Sequence, residues 1–153
     1  MPTNAPEPTS PPASGHLSSP AAHEELCVLV IDEELPRWLA SNATAVLGVA
    51  LGAHGLIQAG PELPDTDGHY HPGIGTTPLP VLASPREELP ALRLKAINSN
   101  ITVLDFNDAA RNSRSYDEYE QKLLTESIGY LGLALFGARK AVKSVSGNLK
   151  SLR

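Results

Sequence analysis

Four short apolar runs alternate along this chain with four stretches of helical periodicity. Leu26-Cys27-Val28-Leu29-Val30-Ile31 is continuous, rich in β-branched residues and stopped by Asp32-Glu33-Glu34. That is the pattern of a strand buried on both faces. Residues 77–83 read as a second strand whose two prolines suit an edge or a strand's beginning. Residues 101–106 and 130–136 read as the third and fourth. In residues 37–53, Leu39, Ala43, Val46, Leu47, Ala50 and Leu51 recur at helical spacing. Ala45, Val49 and Ala53 make the other side apolar too, which predicts burial over most of this helix. Gly48 and Gly52 each cost a helix interior about 1 kcal/mol relative to Ala, so a closely approaching neighbour is expected there. Ser84-Pro85-Arg86-Glu87-Glu88 is a helix start signal, for a helix running to about Asn98. Residues 115–125 form an amphipathic helix with Tyr116, Tyr119, Leu123 and Leu124 on one side. Residues 138–145 form the last helix, stopped by Gly147. Strict alternation of strand and helix predicts an α/β sandwich with a parallel or mixed sheet. The working site of such a fold lies beyond the carboxyl ends of the strands.

A length of 153 residues suits one domain. Residues 1–22 hold Pro2, Pro6, Pro8, Pro11, Pro12 and Pro20 with Ser, Thr and Ala between them. Such a segment is expected to be a disordered or extended leader, because it cannot bury enough apolar surface to offset its ordering entropy. It lacks the positive start and apolar stretch of a secretory signal, which makes the cytoplasm the expected compartment. The single domain then spans residues 23–153. A net charge of -5 argues against a nucleic-acid coat protein, whose affinity rests on neutralising phosphates. A single cysteine, Cys27, excludes an intrachain disulfide and a cysteine-rich zinc site. No apolar run approaches the ~20 residues needed to span a bilayer.

Three blocks, CVLVIDEELPRWLASNA, HYHPGIGTTPLPVL and YLGLALFGARKAVKSVSGNLK, resemble the domain-of-unknown-function 2000 family. They match in order over about Cys27 to Arg153. That family is similar in fold to type II peptidyl-tRNA hydrolases. The resemblance therefore implies a three-layer sandwich, a four-stranded mixed sheet with helices on both faces. In those hydrolases a D-A-G-R-T motif follows the third strand, its acid and threonine implicated in catalysis. Here Asp108-Ala109-Ala110-Arg111-Asn112 occupies that place, keeping the acid and the arginine. The hydrolases' catalytic lysine before the first helix has no counterpart in Pro36-Arg37-Trp38-Leu39-Ala40-Ser41-Asn42.

Several residues are candidates for chemistry. Asp108 follows a strand end and suits an acid or base; as an Asn107-Asp108 turn residue it has a purely structural alternative, and Arg111 is placed to pair with it. Asp32 ends a buried strand, as a base or as a helix-capping acid. Asn42, in a mostly apolar helix, needs a partner and could hold a substrate carbonyl. His71 is a candidate for proton transfer, since an unperturbed imidazole, with a pKa of ~6.5, exchanges protons near neutrality. Asp65-x-Asp67-x-His69-x-His71 puts four metal-competent groups on one face of an extended segment, but ordinary loop composition explains them as well, and no metal or cofactor is assigned. Gly137, Arg139 and Lys140 open a helix after a buried strand, where free N–H groups favour an anion. Together these predict a pocket with acid on one side and positive charge on the other. The expected function is an acyl- or amide-bond enzyme for a small anionic or acyl-tRNA-like substrate. The alternative is a non-catalytic module binding a small ligand or protein in the same cleft. A homodimer through the first helix or the proline-edged strand is a further expectation.

Overall fold

A computed structural model describes residues 24–153; the expected leader lies outside the described residues. β1 (Glu25–Asp32), β4 (Val81–Ser84), β5 (Thr102–Asn107), β6 (Tyr130–Ala138) and β7 (Lys150–Ser151) form one sheet in the order β5-β6-β1-β4-β7. β1 and β4 are parallel, and every other neighbouring pair is antiparallel. Among the described residues the sheet is mixed, as expected, but has five strands rather than four. The chain's last residues turn back so that Leu82 faces Ser151, which closes the β4 edge. Two residues of pairing are too short to leave a hydrophobic pattern.

β1 and β6 are central and almost wholly buried, which accounts for their unbroken apolar runs. α1 (Arg37–Ala53) covers one face, its Leu39, Ala43, Leu47 and Leu51 meeting Cys27, Leu29 and Ile31. α2 (Leu89–Asn98) and α5 (Arg139–Ser146) cover the other, where Leu89, Ala96, Val142 and Val145 meet Val28, Val30, Leu133 and Leu135. Alternate residues of β1 thus belong to opposite cores, the period of two that a strand imposes.

Three expectations change. α1 is buried along one stripe only: Val49 is 73% exposed, and a Cβ at Gly48 or Gly52 would meet nothing within 4 Å. α4 (Tyr116–Thr125) buries no residue, because the sheet's faces are already occupied by α1, α2 and α5; Tyr116 and Leu124 face solvent. Between α1 and β4, β2 (Leu63–Pro64) and β3 (Tyr70–His71) form a small antiparallel hairpin. The second strand is shorter than expected because Pro78 and Pro80 precede it, although the Pro80 carbonyl still accepts a hydrogen bond from the Leu29 N–H. Among the described residues no helix is long and apolar enough to cross a membrane.

Candidate functional site

β1, β4 and β5 run in the same direction, so Asp32, Ser84 and Asn107 end on one rim of the sheet. All three are buried. Asn107 starts α3 (Asp108–Arg111): its side-chain oxygen accepts the Ala110 N–H at 2.9 Å. Its amide nitrogen donates to Asp105 at 2.8 Å and to the Tyr119 hydroxyl at 3.2 Å. A buried amide held on both sides fixes the direction of the helix that follows. It also fixes Asp108, whose N–H donates to the Gly129 carbonyl at 2.9 Å.

The cation of this rim comes from an unexpected place. A single 3-10 turn, Arg86–Glu88, follows β4, and Arg86 reaches from it across the sheet's end. Its Nη2 donates to Asp108 Oδ2 at 2.5 Å, and its Nη1 stands 3.9 Å from Asp32 Oδ2. Asp32 is 2% exposed; its other oxygen accepts the Glu34 N–H at 3.0 Å. A carboxylate this buried requires a counter-charge or hydrogen bonds, and Asp32 has both. Gly129 leaves room for the pair, since a Cβ there would lie 2.5 Å from Asp108 Oδ2 and 2.9 Å from Arg86 Nη2. Arg86 and Asp108 remain partly open to solvent, with side chains 40% and 33% exposed. The arrangement holds a negative group on a guanidinium whose remaining N–H groups can take a second anion. Sequence reasoning spent Arg86 on a helix start. Its usable signal was an arginine two residues beyond a strand end.

Asn42 and Arg111 meet in a groove of about 640 Å³ between α1 and α3, lined also by Trp38, Val46, Phe106 and Ala110. Asn42 is exposed, so it needs no protein partner. Arg111 does not pair with Asp108; its guanidinium lies 5.9 Å from the Trp38 ring centre, a cation–π contact. Arg86 holds the acid instead.

The other predicted residues lie elsewhere. β6 runs against β1, so Gly137 pairs with Leu26 and the Arg139 N–H donates to the Glu24 carbonyl. Asp32 and Glu25 are seven steps apart on a strand, about 23 Å at 3.3 Å per residue. Gly137, Arg139 and Lys140 therefore sit on the opposite rim from Asp32 and Asp108, and the expected pocket with acid facing base does not form there. Chain order put these residues after a strand; strand direction put them at the wrong end. His71 lies in the exposed β2–β3 hairpin, reached from the carboxyl end of α1 at that same opposite rim, and its Nε2 contacts Asp65 Oδ2 at 2.9 Å. Cys27 is core, as expected; burial pushes its thiol up to about 11.

Residues 25–153, which carry all of these features, match the family model described as protein of unknown function DUF2000. The chain belongs to the DUF2000 family. None of the curated proteins compared matches it. Among solved structures it is similar to a protein of unknown function from Agrobacterium tumefaciens strain C58, at 20% identity and a TM-score of 0.73. The similarity covers 84% of this chain and 97% of that one, so the DUF2000 sheet and its covering helices are a shared fold.

Proposed function

We propose that the rim formed by Asp32, Arg86 and Asp108 is the working site of a small enzyme acting on an acyl or amide bond of an anionic substrate. The fold is read as that of type II peptidyl-tRNA hydrolases, on the strength of the mixed sheet with helices on both faces and of Asp108-Ala109-Ala110-Arg111 after β5. One observation carries the reading: a part-exposed guanidinium bridges a buried and an accessible carboxylate beyond the carboxyl ends of three like-directed strands. Arg86 takes the anion-holding role first expected of Gly137, Arg139 and Lys140. Asp108 handles the proton, and Asn42 and Arg111 in the neighbouring groove orient the rest of the substrate. Asp32 keeps Arg86 in place.

The test is turnover of N-acyl amino acids and of an N-acylated aminoacyl-tRNA. Asp108→Asn should lower kcat by about 10²-fold or more, the usual contribution of a positioned acid or base. Arg86→Ala should act mainly on KM. Full activity in Asp108→Asn removes the assigned role.

The close Arg86–Asp108 contact favours a second reading, a module that binds an anion without reaction, because it commits an Asp108 oxygen to a guanidinium rather than to a substrate proton. A ligand that raises the melting temperature, requires Arg86 and is recovered chemically unchanged would decide for it.

A further inference from the structure

The β2–β3 hairpin has no place in the site above, and its composition is peculiar. Residues 61–72 are all exposed, and each strand pairs over only two residues. A hairpin this short, with no apolar face, is at best marginally stable in water. Beyond its backbone pairing, which the Ala59–Gly75 bridge extends, one side chain gathers its tip, Asp65. Its Oδ1 accepts the N–H groups of Asp67 and His69, each at 2.9 Å. Its Oδ2 lies 2.9 Å from His71 Nε2 and 3.5 Å from His69 Nδ1. Donor atoms of Asp65, Asp67 and His69 all fall within 4.8 Å of one another.

We propose that Asp65, Asp67, His69 and His71 form a binding site for one divalent first-row transition metal, zinc being the best fit. Two imidazoles and two carboxylates are a borderline donor set that suits zinc, copper or nickel and is poor for calcium or magnesium. The spacing fits as well. Zinc bonds imidazole nitrogen and carboxylate oxygen at about 2.0–2.2 Å, so adjacent ligands of a tetrahedral site stand about 3.3 Å apart. The two Asp65–imidazole separations, 2.9 and 3.5 Å, bracket that value. Metal would draw His71 in beside the Asp65, Asp67 and His69 donors, which already stand together, and would staple a hairpin that no core supports.

The full chain is titrated calorimetrically with ZnCl₂, then with CaCl₂. One equivalent of zinc should bind with a micromolar dissociation constant, and calcium should not bind measurably. His69→Ala and His71→Ala should each weaken zinc at least 10-fold. Because all four side chains are exposed, these variants should keep the parent melting temperature without metal. Zinc should also slow amide exchange at Asp67 and His69. Three results would each overturn the site: zinc affinity unchanged in the His69→Ala/His71→Ala double variant, meaning an adventitious ion only; a dissociation constant no tighter than about 1 mM; or calcium binding as well as zinc.

Discussion

At Gly132 the sheet and α1 are in tight contact. A Cβ there would stand 2.7 Å from Ile31 Cδ1 and 3.3 Å from both Leu47 Cδ1 and the Val30 carbonyl. Gly132→Ala should destabilise the protein by about 1–3 kcal/mol, the usual cost of overfilling a packed core; urea denaturation reads it. Cys27 gives the complementary case. Its thiol is wholly buried and titrates only near 11, so the native protein should resist thiol reagents at neutral pH. Labelling should follow global unfolding and accelerate with denaturant; rapid labelling of the native state would contradict the burial. The two residues differ in legibility. A lone cysteine inside an apolar strand already announces a small core hydrophobe. A glycine in the fourth strand announces only a weakened strand or a close approach, and which helix approaches is invisible until that helix has a side of the sheet.

Among the elements, α4 leans on its ends, because none of its residues is fully buried. Ser115 accepts the Glu118 N–H at 3.2 Å, and Glu118 accepts the Arg114 N–H at 2.8 Å while pairing with Lys122 at 2.8 Å. These partners, Lys122 foremost, hold the Glu118 carboxyl below its ordinary value. A carboxylate depressed in the folded state stabilises it above its ordinary pKa of 4.5, and that contribution fades as pH falls from there through the lowered folded value. Exchange protection of α4 amides should therefore hold from neutral pH down to about 4.5 and fall below it before that of β1 and β6, and Glu118→Gln should remove the difference. Helix existence was legible here: Ser115 followed three residues later by Glu118 is a capping signature. What α4 touches was not, because Tyr116, Leu123 and Leu124 would make the same pattern over a core or over water.

For the molecule as a whole, the outer face of α1 poses the sharpest question. Beyond Arg37 that helix has no charge, yet Val46 and Val49 are exposed and both glycines look into open space. If nothing approaches them, Gly48→Ala and Gly52→Ala should each stabilise the chain by about 0.4–1 kcal/mol, through a less flexible unfolded state. A homodimer packed backbone to backbone on this face would lose affinity instead, so melting temperature measured against protein concentration separates the two. The same scale decides the functional reading. Asp32, Arg86 and Asp108 come from three different strand ends, and only the sheet order β5-β6-β1-β4 lets one guanidinium reach two acids.

Local chemistry wrote most of the secondary structure directly: unbroken apolar runs give the central strands and helical spacing gives α1, whereas the Asn107-Asp108 turn proved to be the start of a short helix. The same residues marked Asp32 and Asp108 as acids at strand ends. Strand direction is a property of pairing, and pairing joins residues far apart in the chain, so it leaves no local trace. Only the tertiary structure could turn β6 against β1, carry Arg139 and Lys140 to the far rim, and bring Arg86 to Asp108 in their stead.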